Sequence, residues 1–190
     1  MSKKRLILAI VGQASGGKDT AAEYLAKKYK FNHVSTSDLL RKYADEHNHD
    51  TPNREALQLL ANNLRQEYGA NFLVSQALAS IPKENIVISG LRNPEEALLI
   101  HDLGGIIIVV NATIEIRYAR AELRNRPGDS LSFSAFSALE DSELYNKDPN
   151  SQNLSVIFGM ADEFIENNTS LEDLEAKLNK LIKLLLRQNK

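Results

Sequence analysis

Gly12-Gln13-Ala14-Ser15-Gly16-Gly17-Lys18 reads G-x-x-x-x-G-K, directly after the apolar run Leu6 to Val11 and directly before a helical stretch carrying Ala21, Ala22, Leu25 and Ala26. Glycines at this spacing let successive backbone N–H groups curl toward phosphate oxygens. The following helix offers its positive end, and a lysine reaches the β- and γ-phosphates as a point charge. Gly12, Ser15, Gly16, Gly17 and Lys18 are therefore expected to grip a nucleoside triphosphate, ATP in the first instance. A merely structural strand-to-helix turn would have no need of the lysine. Asp19 occupies the eighth position, where the pattern usually has Ser or Thr, and Thr20 follows it. Asp19 could hold Mg2+ directly or through water, since that ion favours oxygen ligands and keeps much of its hydration. Equally, Asp19 could only favour the helix N-terminus, leaving Thr20 to supply the oxygen.

A triphosphate grip is shared by switches, motors and kinases, so the arginines must discriminate among these classes. Phosphoryl transfer between two anions needs positive charge spread around the transferring group, a second pocket and exclusion of water. Arg41 follows Ser37-Asp38-Leu39-Leu40, and Arg54 and Arg65 lie on the helical region beyond it. Arg92 follows Ser89-Gly90-Leu91 at the C-terminal end of an apolar strand, which in doubly wound sheets is the ligand-binding edge. Singly, Arg41, Arg54 and Arg65 read as well as solvated or ion-paired residues; as a set with Arg92 they favour an anionic acceptor. Arg117, Arg120 and Arg124 share one side of a helix by spacing, and Arg126 opens Arg-Pro-Gly-Asp. That cluster is either a solvated face or the start of a lid closing over a phosphate chain. Asp38 could act as a base toward a hydroxyl, orient the acceptor, or simply cap a helix.

The elements that must position these residues alternate in kind. Leu6 to Val11, Ile86-Val87-Ile88 and Ile106 to Val110 are β-branched runs of strand length suited to burial on both faces, and Phe31 to Ser35 and Glu163 to Glu166 are weaker candidates. Asn93-Pro94-Glu95-Glu96 and Ser170-Leu171-Glu172-Asp173 carry helix-start signals. The second precedes Leu171, Leu174, Leu178, Leu181 and Leu185 at helical spacing, read as core packing. Strands alternating with helices predict an α/β fold with a mainly parallel sheet covered on both sides.

At 190 residues with no repeat or linker the chain is expected to form one domain. A net charge of -2 and the lack of a basic block argue against a nucleic-acid polymer or an anionic membrane as partner. There are no cysteines, which removes disulfide and thiolate chemistry and fits a reducing compartment. The leading apolar run is too short to span a bilayer, and Lys3-Lys4-Arg5 does not open a secretory signal, so a cytoplasmic protein is expected. His47 and His49 in a polar turn, with His33 and His101 far away in sequence, do not have zinc-ligand spacing. Tyr24, Tyr29 and Phe31 read as packing.

Together, Gly12 to Thr20, Ser37-Asp38-Leu39-Leu40-Arg41, Ser89-Gly90-Leu91-Arg92-Asn93 and the Arg117, Arg120, Arg124, Arg126 spacing resemble the P-loop nucleoside monophosphate kinase superfamily. The parallels within it are dephospho-coenzyme A kinases, archaeal adenylate-kinase-like proteins and phage-type deoxynucleoside monophosphate kinases. Met160 to Asn168 resembles the segment that forms the last strand near the bound adenine. The resemblance implies a three-layer sandwich with a five-stranded parallel sheet, an acceptor-binding helical region at about 36–80 and a lid at about 117–145. It implies Lys18 on the transferring phosphates, Arg92 and Arg41 on the acceptor, and Arg120, Arg124 and Arg126 acting from the lid. The chain departs from the family where Ser89 and Gly90 replace the usual acid, which moves the metal-holding role toward Asp19. The expected activity is ATP- and Mg2+-dependent transfer to a small nucleotide-like acceptor, a nucleoside or deoxynucleoside monophosphate, by a monomer or homodimer. Dephospho-coenzyme A is the alternative acceptor, and a nucleotide-dependent switch is the rival of another class.

Overall fold

The computed structural model describes residues 5–51, 53–124, 131–146, 148 and 151–188. Five strands form one parallel sheet: β1 (Ile7–Val11), β2 (Asn32–Ser35), β3 (Ile86–Ser89), β4 (Ile106–Asn111) and β5 (Glu163–Glu166), in the order β2-β3-β1-β4-β5. The motif-bearing strand is therefore the central one. Its side chains divide by the two-residue period of a strand. Leu8 and Ile10 pack with α1 (Lys18–Tyr29) and α9 (Leu171–Gln188), while Ile7, Ala9 and Val11 pack on the opposite face. That second face is covered by α4 (Phe72–Ser80), α5 (Pro94–Asp102) and α8 (Leu154–Gly159). Burial on both faces is why β1, β3 and β4 read as unbroken apolar runs.

The weaker strand candidates lie at the sheet edges. All four residues of β2 are half-buried, and in β5 only Ile165 is buried while Phe164 faces solvent. A one-sided strand has a shorter and noisier apolar signal. The helix-start signals also have physical counterparts. Asn93 accepts from the Glu95 backbone N–H at 3.0 Å, and Glu96 Oε2 accepts from the Arg92 and Asn93 N–H groups at 2.7 and 3.2 Å. Ser170 Oγ accepts from the Asp173 N–H at 3.3 Å. Leu174 and Leu178 of α9 are buried as the stripe predicts, Leu181 and Leu185 are half-buried against the same cluster, and Ile182, outside the stripe, is fully buried with them. Leu171 departs from that expectation: it is half exposed and lines a cleft instead of the core.

Between β2 and β3 stand α2 (Thr36–Glu46), α3 (Arg54–Tyr68) and α4. Leu40, Ala44, Leu60, Ala61, Leu64 and Leu73 form a third apolar cluster there, separate from both sheet faces. After β4 come α6 (Ile114–Arg124) and α7 (Phe133–Leu144), which pack on each other through Arg117, Tyr118 and Phe136. Tyr24 and Tyr29 both donate to Asn179 Oδ1 at 2.8 Å, tying α1 to α9, and Phe31 is buried among the same residues. No described helix is long and apolar enough to cross a membrane.

Candidate functional site

The loop between β1 and α1 is tight enough that glycine is required for two distinct reasons. A Cβ on Gly12 would lie 2.1 Å from the Val110 carbonyl oxygen, so β4 leaves no space for a side chain. Gly17 has φ +103°, and a Cβ there would meet Asn167 Nδ2 at 2.1 Å. Ser15, with φ 58°, takes the left-handed conformation despite its side chain. Such conformations persist where surrounding contacts over-determine them, and they cluster at ligand clamps. The contacts here are specific. Asn167 Nδ2 donates to Gly16 O at 3.0 Å, Asn111 Nδ2 donates to Gln13 Oε1 at 2.9 Å, and the Gly16 N–H bonds Gln13 O at 3.2 Å.

Above the loop opens a cleft of about 450 Å³ lined by Ser15, Lys18, Asp19, Thr20, Arg120 and Arg124 among others. Two of its polar atoms, Ser15 Oγ and Arg120 Nη1, are buried without a hydrogen-bond partner. Buried polar groups are normally paired, so orphans converging on one loop mark a place for a ligand with acceptor oxygens. A triphosphate fits that description. Arg120 is held in place by its other nitrogen, Nη2, which donates to Asn167 O at 2.9 Å.

Lys18 is largely buried, and its Nζ lies 3.0 Å from Asp19 Oδ2. Burial lowers its proton affinity most; Asp19 opposes this, while Arg92 and Arg54 reinforce it. Burial pushes the Asp19 carboxyl upward, but Lys18, a hydrogen bond from Ser89 and the charge of Arg92 together hold it below the ordinary carboxylate range. The donor set also fits Mg2+. Asp19 offers a half-exposed carboxylate and Thr20 an exposed hydroxyl, both in the cleft. No group of three or more His, Cys, Asp or Glu residues converges as a metal cage among the described residues. Few protein oxygens suit an ion that keeps its waters and takes substrate phosphates as ligands.

Near Lys18, three arginines and two buried glutamates of α7 form an alternating chain. Arg92 Nη1 pairs with Glu143 Oε2 at 2.9 Å, Arg54 Nη2 bridges Glu143 and Glu140 at 2.5 and 3.3 Å, and Arg117 pairs closely with Glu140. Both glutamates are about 1% exposed. Burial alone would lower the Arg54 proton affinity, yet Glu143 and Glu140 raise it above the ordinary value. The chain of charges joins α3, α6 and α7 to the segment after β3, beside the phosphate loop.

A family model described as an AAA domain matches residues 8–143, most of the chain, from β1 through α7. The chain belongs to this AAA-domain family. Among solved structures, it is similar to shikimate kinase from Acinetobacter baumannii in complex with shikimate, at 15% identity and TM-score 0.63, covering 98% of this chain and 96% of that one. TT1252 from Thermus thermophilus is similar at 20% identity and TM-score 0.64, covering 96% and 99%. Dephospho-CoA kinase from Campylobacter jejuni is similar at 19% identity and TM-score 0.54, covering 94% and 96%. At these identities the likeness is one of fold, and the fold is that of the P-loop kinases. A comparison with curated protein sequences finds no match.

Within this AAA-domain chain the expected site residues separate into groups. Lys18, Asp19, Thr20, Arg120 and Arg124 line one cleft, and Arg92 and Arg54 stand near enough to Lys18 to influence its charge. Arg126 lies outside the described residues, as do the rest of residues 125–130. Arg65 is corrected from an acceptor ligand to a structural ion: it is 2% exposed, and its Nε and Nη2 both donate to Glu96 Oε1. Arg117 likewise faces α7 instead of sharing an open face with Arg120 and Arg124. Asp38 is not the helix cap, because Ser35 Oγ accepts the Asp38 N–H and fills that role. The Asp38 carboxylate instead receives Arg41 Nη1 at 3.0 Å on the exposed side of α2. Sequence reasoning missed Asn111, Glu140 and Glu143, and took in Asn167 only within the Met160 to Asn168 segment, with no link to the phosphate loop. The two glutamates, one helical turn apart downstream of an arginine cluster, carried a usable signal; Asn111 carried none.

Proposed function

We propose that the protein is a phosphotransferase using ATP with Mg2+, and that its acceptor is a small nucleotide-like molecule, a nucleoside or deoxynucleoside monophosphate. The observation that carries this reading is that Lys18 has two sets of arginines near it. Arg120 and Arg124 line the same cleft as Lys18, with the orphaned Ser15 hydroxyl, while Arg92 and Arg54 are near enough to Lys18 to lower its proton affinity. Loop N–H groups and Lys18 would hold the donor phosphates, Arg120 Nη1 would take up charge developing on them, and Arg92 would orient the acceptor anion. A bound Mg2+ would neutralise phosphate charge, with Asp19 and Thr20 as its protein partners. The regions about 36–80 and 117–145 would supply the acceptor pocket and the lid, and the reaction would belong to cytoplasmic nucleotide metabolism.

One observation favours a second reading. Arg92 and Arg54 are already paired with Glu143 and Glu140, which reduces the positive charge left for a phosphate acceptor. A hydroxyl acceptor such as that of dephospho-coenzyme A needs less charge and gains from a carboxylate base, for which Asp38 is the candidate. Labelled ATP with Mg2+ and a panel of ribo- and deoxyribonucleoside monophosphates and dephospho-coenzyme A separates the two. Transfer to a monophosphate is the expected result, transfer only to dephospho-coenzyme A would select the second reading, and transfer to neither would end both.

A further inference from the structure

The phosphate cleft opens at the C-terminal end of β1, and a second cavity opens at the other end of the same strand. It has a volume of about 280 Å³ and is lined by Arg5, Ile7, Leu78 and Leu103. Ile7 begins β1, Leu78 belongs to α4, and Leu103 follows α5. A strand rises about 3.3 Å per residue, so the length of β1 separates this cavity from the phosphate loop. Open α/β sheets bind their substrates outside the carboxyl ends of the strands, which sets this cavity apart from the phosphotransfer site.

Three of the lining residues are aliphatic and the fourth carries a guanidinium. Arg5 is half-buried, yet its Nε and Nη2 are both shielded from solvent, and neither has a hydrogen-bond partner among the described residues. These two nitrogens form one edge of the group, with their N–H bonds side by side. The same edge of Arg65 is fully engaged: Nε and Nη2 donate to Glu96 Oε1 at 3.2 and 3.0 Å. Buried donors are normally paired, and two parallel ones match the two oxygens of a carboxylate or phosphate. The backbone beside Arg5 is anchored. The Leu6 N–H donates to Asn85 Oδ1 at 2.9 Å, and the Leu6 carbonyl accepts from the Ile86 N–H at 3.0 Å.

The lining also selects the rest of the ligand. Ile7, Leu78 and Leu103 have no polar side-chain atoms, so they suit an aliphatic body. Burial lowers the proton affinity of Arg5, and the charge of Glu84, an exposed residue next to Asn85, opposes that effect. An acid in this neighbourhood repels a doubly charged phosphate more than a singly charged carboxylate. We propose that the cavity is a binding site for a small aliphatic carboxylate, held by the Nε and Nη2 edge of Arg5 with its chain against Ile7, Leu78 and Leu103. The site stands independently of the nucleotide reading of the opposite end of β1.

Octanoate is the probe, octan-1-ol is its uncharged counterpart, and the readout is the methyl NMR spectrum of protein labelled at isoleucine and leucine. Octanoate should shift the Ile7, Leu78 and Leu103 methyl signals saturably. Octan-1-ol should bind roughly tenfold more weakly, the effect expected of a hydrogen bond to a charged group. Arg5→Met, which keeps an aliphatic stem and removes the fork, should bring octanoate down to the affinity of the alcohol. Arg5→Lys, which keeps the charge without the fork, should fall between the two. Octyl phosphate should bind the unaltered protein more weakly than octanoate. Absence of a saturable shift at millimolar octanoate would overturn the proposal. Equal affinity for octan-1-ol would do the same, as would undiminished octanoate affinity in Arg5→Met or tighter binding of octyl phosphate. The comparisons of octanoate with the alcohol and the phosphate use the unaltered protein, so they decide the matter even if Arg5→Met fails to fold.

Discussion

At the scale of single residues, the charge on Lys18 is the quantity a ligand would change most. Burial lowers its proton affinity in the free protein, with Asp19 opposing that effect and Arg92 and Arg54 adding to it. The folded protein thus holds this proton less tightly than the unfolded chain does. Its buried charge disfavours folding at neutral pH, and the cost is relieved as pH rises through the depressed folded value toward the ordinary lysine range. A bound triphosphate brings negative charge and raises the value again. Binding of a triphosphate at mildly alkaline pH should therefore be accompanied by proton uptake, seen calorimetrically as a dependence of the binding heat on buffer ionisation enthalpy. Lys18→Ala should abolish both the uptake and turnover while leaving the melting transition in place; undiminished turnover would contradict the loop's assigned role. The loop was legible in the sequence because its parts are contiguous. Asn167 was not, because its importance comes from reaching Gly16 across 151 positions.

At the scale of elements, α7 is fastened by charge more than by apolar burial. Glu140 and Arg117 are both nearly fully buried, and each satisfies the other. Removing one member of such a pair leaves an uncompensated buried charge and costs about 3–5 kcal/mol, whereas replacing both with apolar residues of similar volume is often neutral. Glu140→Ala should lower the stability measured by urea unfolding by that amount. The Arg117→Met, Glu140→Leu double variant should recover most of it. Recovery would separate anchoring from chemistry; equal loss in both would show that the ion pair is not what holds the helix. Element existence was readable for the inner strands, where unbroken β-branched runs reflect burial on two faces. Pairing between α7 and its arginines was not, since helical spacing reports only which residues share a face. That is why Arg117 looked equivalent to Arg120 while the structure turns it inward, and why Arg65 looked available while Glu96 already holds it.

At the scale of the whole molecule, β1 is covered from both sides, and α9 closes the side opposite α4 and α5. Leu178 is fully buried against this sheet face, and it does not line the nucleotide cleft. Leu178→Ala should cost about 2–5 kcal/mol through lost burial and the cavity left behind. Below the lowered melting temperature, turnover should remain near that of the unaltered protein; a fall in turnover without loss of stability would assign α9 a direct part in the site. The third apolar cluster, built from α2, α3 and α4, has a different consequence. Because Leu40, Leu60, Leu64 and Leu73 complete a small core of their own, these positions can be rebuilt by mutation without touching Val74 and Ala77, the α4 residues that pack on the sheet face of the strand carrying the phosphate loop. On the proposed reading of this layer as the acceptor pocket, descendants of such a chain would exchange one acceptor for another while inheriting the donor grip unaltered, and a laboratory library confined to this layer would explore the same route.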